Sequence, residues 1–307
     1  MTDASEKIAI APDVAAALKD RRPVVALEST VVTHGMPFPQ NLETARAVEA
    51  AVVAAGATPA TIAIVHGRMR VGLLDNELEA LASTDGALKA SRRDLAAVVA
   101  RQQTAGTTVS ATMIIAAMAR IPVFATGGIG GVHRGASETF DVSADLTELA
   151  RTPVTVVCAG AKSILDIPKT LEVLETYGVP VIGYRTDEFP AFFSRSSGEA
   201  LDVSCESAAE IAAIIRAHRA LGLTSGLLVA NPILEADAIP ASEIEHHIAE
   251  ALAEADAYGI TGKAVTPYLL DRLVRATGGR TLTANMALIR NNARLAAEIA
   301  VALATTE

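Results

Sequence analysis

Half of this 307-residue chain is apolar, yet aromatics make up only 3% and tryptophan is absent, so any core must be built from aliphatic side chains. A formal net charge of −9 speaks against nucleic acid or an anionic membrane as a bulk partner, and an anionic ligand would need a local cationic site. The cysteines, Cys158 and Cys205, lie in apolar surroundings without metal-ligand spacing and read as buried free thiols in a reducing compartment.

The N-terminus lacks a basic region followed by an apolar core, so no signal peptide is expected. No uninterrupted apolar run reaches membrane-spanning length. The expectation is a soluble, cytoplasmic protein.

Residues 1–9 read as a loose tail and 13–19 as a short helix. Residues 23–27 form a short buried strand ending abruptly in Glu28, Ser29 and Thr30. Pro37 and Pro39 exclude regular structure from the loop 33–39. Asn41 is expected to cap a helix with Leu42, Ala45, Val48, Val52 and Val53 on one face. A strand at 61–65 turns at Gly67, and 69–73 pairs back antiparallel. Asn76 and Glu79 fit a capping box for a short helix. A helix is expected over 92–102, and a second, apolar nearly all round and hence buried, over 111–119.

Residues 121–125 read as a buried strand that opens into Thr126 and a loop with Gly127, Gly128, Gly130, Gly131 and Gly135. An acidic segment with Asp141, Ser143 and Asp145 follows, and a second buried strand, 154–158, delivers Gly160 and Lys162. Beyond it come a helix over 167–177 with Pro168 in its first turn, a strand over 179–184, and a loop or lid over 186–205. A helix over 206–220, a strand over 226–230 ending in Asn231 and Pro232, and helices over 242–258, 266–276 and 281–304 complete the chain. Alternating strands and helices signal an α/β layered fold with a largely parallel sheet. Without repeats or low-complexity linkers, residues 1–307 read as one domain.

Several side chains could carry chemistry. Lys162, just past a buried strand, is either a snorkelling surface lysine or an amine whose apolar surroundings favour the neutral nucleophile. Thr155 stands where a Walker A loop needs glycine, so Gly160 to Ser163 is not a nucleotide P-loop. An acid directly after a buried strand, as Glu28 is, must be paired, working or capping. Lys89, in a run with Arg92 and Arg93, reads as an anion contact or a solvated basic patch. The glycine loop lacks the dinucleotide fingerprint but could form a backbone nest for phosphate, with His133 and Arg134 adding to it. Asp141 and Asp145 share a face if their segment is helical, or one of them caps a helix. His246 and His247 read as solvated surface, and Asn285 either reads a base edge or bonds another helix.

The segments ALESTVVTHGMPFPQN, KASRRDL, GTTVSATM, FATGGIGGVHRG, DVSADL, VCAGAKSILD, ANPI and TANMALIRNNARLA occur in this order over roughly residues 20 to 300. Together they resemble the pseudouridine-5′-phosphate glycosidase family, which includes the indigoidine synthase A type proteins. The resemblance implies reversible cleavage of the C–C glycosidic bond of pseudouridine 5′-phosphate to uracil and ribose 5-phosphate. It also implies a three-layer α/β/α sandwich with a mostly parallel, mixed central sheet, Mn²⁺ dependence and a homotrimer. By motif, Lys162 would form an imine with ribose C1′ and Glu28 would be the proton donor. Lys89, Val109, Ser143, Ala144 and Asp145 would contact substrate, Asp141 would hold the metal, Asn285 would read the base and His133 would touch the sugar phosphate. Two other readings use the same residue types: a Schiff-base sugar-phosphate aldolase or isomerase, and a non-catalytic sugar-phosphate-binding accessory protein.

Overall fold

A computed structural model describes residues 8–260 and 265–305. The chain opens with β1 (Ile8–Ile10), α1 (Pro12–Lys19) and β2 (Val24–Leu27), then a π-helical turn over Val31–Gly35. Next come α2 (Gln40–Ala54), β3 (Thr58–Val65), β4 (Arg68–Val71), α3 (Asp75–Ser83), β5 (Leu88–Ala90) and a 3₁₀ turn over Arg92–Asp94. The middle of the chain holds α4 (Leu95–Ala100), β6 (Ala105–Thr107), α5 (Val109–Met118), β7 (Val123–Ala125), β8 (Val132–His133), α6 (Ala136–Thr139) and α7 (Ala144–Leu149). It continues through β9 (Thr155–Cys158), β10 (Leu165–Asp166), α8 (Ile167–Thr176), β11 (Val181–Tyr184), β12 (Ser204–Cys205), α9 (Ala208–Ala220) and β13 (Leu227–Ala230). Three helices close it: α10 (Ala241–Ala257), α11 (Val265–Ala276) and α12 (Arg280–Ala304).

The main sheet has 11 strands, in the order β1-β4-β3-β2-β7-β9-β13-β11-β12, with β6 pairing to β3 and β5. From β3 through β12 along that path every pairing is parallel, whereas β3 runs antiparallel to β4 and β6. Strands β2, β7, β9 and β13 are buried along their whole length, as parallel strands covered on both faces must be. Helix α12 lies over β2, β7 and β9 and packs on α2 and α9, while α5 packs on β2 and β3 and beside α7. Helices thus flank the mostly parallel, mixed sheet, the expected α/β/α layering. The register sets Leu27 beside Ala125, Ala125 beside Val157, and Cys158 beside Ala230. The carboxyl ends of four neighbouring strands therefore meet along one edge, the place where α/β sheets bind ligands.

Local details depart from the sequence expectations. Ile8 and Ala9 are not tail: with Ile10 they add an edge strand to β4, Ile8 facing Met69. The loop 33–39 is partly regular, because the N–H groups of Val32 and Thr33 both reach the Ser29 carbonyl before the first proline. Asn41 caps nothing. It lies inside α2, buried, and its amide donates to the carbonyls of Val32 (2.7 Å) and Ala82 (2.9 Å). At α3 the cap is made by Glu77, which accepts from the Leu74 N–H, not by Asn76 and Glu79. The helix expected over 92–102 is split, since Asp94 turns back to accept from the Ser91 N–H. The segment 186–205 is a loop that ends in β12, but Phe189, Phe192 and Phe193 are buried in the core, which a freely moving lid would not allow.

Candidate active site

Glu28 follows β2 directly and is half-buried. One carboxylate oxygen accepts the Thr30 hydroxyl and the other the Thr126 hydroxyl, the latter at the end of the neighbouring strand β7. Between Glu28 and Thr30, Ser29 turns inward, donates to the Ile62 carbonyl (2.6 Å) and accepts from the Thr107 N–H (2.9 Å). Ser29 thus anchors the chain to β3 and β6 while Glu28 faces the strand-end edge.

After β7 the glycine loop runs alongside the chain that leaves β9. The Ala159 N–H donates to the Gly127 carbonyl (2.9 Å), the Ile129 N–H to the Gly160 carbonyl (3.1 Å), and the Lys162 N–H to the Ile129 carbonyl (3.1 Å). Lys162, half-buried, is held against the glycine loop by this irregular ladder, one strand removed from Glu28.

The loop is less open to phosphate than its composition suggests. The N–H groups of Gly130, Val132 and His133 already donate to Asp145, Thr170 and Asp141, in addition to the Ile129 bond. The glycines answer to close packing: a Cβ on Gly130 would run into Ser143 and Asp145, and one on Gly128 into the Phe192 ring and the Gly160 carbonyl. Arg134 is committed elsewhere as well, to Glu245 (Nη2 to Oε2, 2.9 Å) and to the Ser163 carbonyl.

Lys89 and Lys162 both lie close enough to His133 for their charges to act on it. Burial pushes the His133 imidazole below its ordinary value; the Asp141 carboxylate, 3.9 Å from Nδ1, opposes this, and the ammonium groups of Lys162 and Lys89 add to it. Burial and Lys89 likewise lower His34, whose Nδ1 sits 2.7 Å from the Thr33 hydroxyl. Lys89, His133, Asp141 and Lys162 therefore form one electrostatic group.

Asp141 and Asp145 do not share a helix face. Asp141 precedes α7 with its side chain 42% exposed. Asp145 is buried, and its oxygens accept the N–H groups of Ser110 (2.9 Å) and Gly130 (2.8 Å), tying α5 to the glycine loop. Ser143 is the cap of α7, Ala144 is exposed, and Val109 is buried at the start of α5. Asn285 on α12 is half-buried, its Oδ1 3.4 Å from where a Gly127 Cβ would be. A small cleft at the ends of β2 and β7 is lined by Glu28, Thr126, Gly127, Val31, Val48 and Ile289, and includes none of Lys89, His133, Asp141 or Lys162. A larger cavity of about 600 Å³ opens beside Arg134 and Ser163 and contains none of Glu28, Lys89, His133 or Lys162.

Among the described residues no group of three or more His, Cys, Asp and Glu side chains is placed to hold a metal. Asp141 offers a single hard carboxylate, a donor set suited to a cation that keeps most of its water. Both cysteines are free and buried, and burial raises the Cys158 thiol to about 12, so it stays protonated and unreactive.

Thr126, Asn231 and Asn292 carry no functional role in the sequence reading, yet the structure places them at these strand ends. Thr126 could have been found as the polar residue at the end of a buried strand. Asn292 carried no local signal beyond an amide on an otherwise apolar stripe. Among the described residues, no helix is long and apolar enough to cross a membrane.

Residues 13–302 match the model of the indigoidine synthase A-like protein family. A Methylobacterium nodulans protein named pseudouridine-5′-phosphate glycosidase is 61% identical over 293 residues, 95% of this chain and 87% of its own. A Jannaschia protein of the same name is 61% identical over 298 residues, 97% of this chain and 99% of its own. Among solved structures, the prealnumycin C-glycosynthase AlnA in complex with ribulose 5-phosphate is 44% identical with a TM-score of 0.90, covering 97% of each chain. An indigoidine synthase A-like protein from Thermotoga maritima is 40% identical with a TM-score of 0.88, covering 97% of this chain and 96% of its own.

Proposed function

The chain belongs to the indigoidine synthase A-like family, and we propose that it is a pseudouridine-5′-phosphate glycosidase, reversibly splitting the C–C glycosidic bond of pseudouridine 5′-phosphate into uracil and ribose 5-phosphate. The observation that carries this reading is the ladder that holds Lys162 on the glycine loop, one strand from Glu28.

The chemistry has to release a carbon leaving group. Lys162 Nζ attacks C1′, and O4′ departs as a hydroxyl with a proton from Glu28, which opens the ribose. The attached nitrogen loses a proton to the Glu28 carboxylate, and its freed lone pair then forms the C1′ iminium as the C1′–C5 bond breaks. Its electron pair goes to uracil C5, which takes up a proton delivered through Glu28. Water hydrolyses the imine, frees ribose 5-phosphate and restores the amine. Lys89 and His133 meet the phosphate, and Asn285 pairs with the donor–acceptor edge of the base. Val109 and the segment of Ser143, Ala144 and Asp145 shape the pocket. Asp141 would hold Mn²⁺, which when bound adds positive charge and ordered water beside the phosphate. The working unit is a homotrimer.

Mixing the protein with pseudouridine 5′-phosphate and Mn²⁺ should release uracil, and borohydride should trap a ribose 5-phosphate adduct. Lys162→Ala should abolish both. A trapped adduct in that variant, or sugar-phosphate turnover without uracil, would overturn the assignment. Because a relative 44% identical is named a C-glycosynthase, the joining of uracil to ribose 5-phosphate is to be measured in the same assay.

A further inference from the structure

The ANPI and NNARLA segments hold no residue used in that mechanism, yet they converge on it. Asn292 on α12 is 0% exposed. Its amide nitrogen donates to the Thr126 carbonyl (2.8 Å) and the Gly127 carbonyl (3.3 Å). Only the nitrogen of a carboxamide can donate to carbonyls, so its oxygen is left to accept, and it takes the amide of Asn231 (2.9 Å). Asn231 stands at the end of β13, where its N–H donates to the Cys158 carbonyl (2.8 Å). Next door, Asn291 donates to the Pro232 carbonyl (3.3 Å) and accepts from Arg294 (3.0 Å). The ends of β7, β9 and β13 are thus tied together from a helix more than 160 residues away in sequence from Thr126.

Such a network is costly to bury unless every member is satisfied, and here each of these amides has a partner. Its output is the orientation of one residue. The Thr126 N–H is held by the Val157 carbonyl (3.0 Å) and the Thr126 carbonyl by Asn292, so both peptide planes around Thr126 are pinned. With those planes set, its hydroxyl lands on Glu28. Aspartate at 292 would set a carboxylate against two carbonyl oxygens, and an apolar residue would take the amide donor from the Thr126 carbonyl while the Gly127 carbonyl kept the Ala159 N–H.

We propose that the Asn231–Asn292 pair is a positioning device that aims the Thr126 hydroxyl at Glu28, and through it sets how that carboxyl faces the sugar ring oxygen. The inference rests on the glycosidase reading. It concerns the chemical step and leaves phosphate and base binding alone.

Uracil release is measured for the wild type, Asn292→Ala, Thr126→Val and the double variant, with far-UV circular dichroism to establish folding. Each single variant should lose about 30-fold in kcat with KM within about twofold, because the lost interaction acts on the transition state. The double variant should lose no more than about twice as much as either, since both remove the same hydroxyl contact. Borohydride should still trap ribose 5-phosphate on the Asn292→Ala variant, whose Lys162 is intact. Wild-type kcat in folded Asn292→Ala, or losses that multiply in the double variant, would overturn the proposal. If Asn292→Ala does not fold, Asn231→Ala, which removes only the donor that orients Asn292, decides: a loss coupled to Thr126→Val supports the proposal and wild-type kcat refutes it. A wild-type protein that releases no uracil would sink the glycosidase reading, and this inference with it.

Discussion

The guanidinium of Arg92 closes on the carboxylate of Glu148, a residue that is 0% exposed, with Nη2 3.1 Å from Oε1 and Nε donating to Oε2. Thr152 donates to the same carboxylate. The pair joins the segment that carries Lys89 to helix α7, whose first turn supplies Ser143, Ala144 and Asp145. A basic run that composition would leave in solvent is partly a structural clasp.

Removing one partner strands the other. Arg92→Ala leaves a buried carboxylate with only a hydroxyl donor and should cost about 2 kcal/mol, less than a fully buried pair would because Arg92 is itself partly in water. Glu148→Gln, which removes the charge and keeps the shape, should cost less. Urea denaturation of the two variants beside the wild type checks both the size and the order.

Asp145 accepts two backbone N–H groups from different elements, and an amide cannot accept both with the same atom type. Asp145→Asn would point an NH₂ at either Ser110 or Gly130. The expected cost is about 2 kcal/mol of stability, with about a tenfold loss of kcat, since Gly130 follows the Ile129 carbonyl that holds the Lys162 backbone. Thermal unfolding and uracil release test the two halves separately.

Metal dependence should follow Asp141. Asp141→Ala is expected to raise the Mn²⁺ concentration for half-maximal activity by about tenfold or more. Electron paramagnetic resonance of free Mn²⁺ should show the matching loss of binding without any turnover. Unchanged binding in the variant would move the metal away from this carboxylate.

Acid should weaken the fold partly through His218. It is buried in α9 with Nε2 3.1 Å from the Ser225 hydroxyl, and burial first, then Arg219, hold its pKa below the ordinary 6.5. The unfolded chain therefore takes up the proton first. Stability is lost as pH falls below about 6.5 and the loss levels off once the folded form also protonates. The drop in urea midpoint between about pH 7.5 and about pH 5.5 should be smaller in His218→Gln than in the wild type.

Much of the site could be read locally because its chemistry sits where a pattern ends. Glu28 and Lys162 each come after a buried aliphatic strand, and a charged group at such a point needs a partner or a task. The same periodicity located α5 as a buried helix and α12 as the longest one. It failed where two local signals competed: Asn41 looks like a cap by type but spends its amide on Val32 and Ala82. At the glycine loop, composition points to an anion nest, while the structure gives the Gly130, Val132 and His133 N–H groups to Asp145, Thr170 and Asp141, pairings that no local pattern announces.

From the order of its residues alone this chain determined its layered α/β class, its aliphatic core, and the identity of an amine, an acid and a cationic cluster at strand ends. Those follow from periods of two and 3.6 residues and from the cost of burying charge, which neighbours in sequence already express. Tertiary structure alone decided that β7 lies between β2 and β9, that Asp145 is a brace while Asp141 stays open, and that Asn292 reaches back to Thr126. Strand order and long-range hydrogen bonds depend on which surfaces fit together in space, and that information is spread over the whole chain.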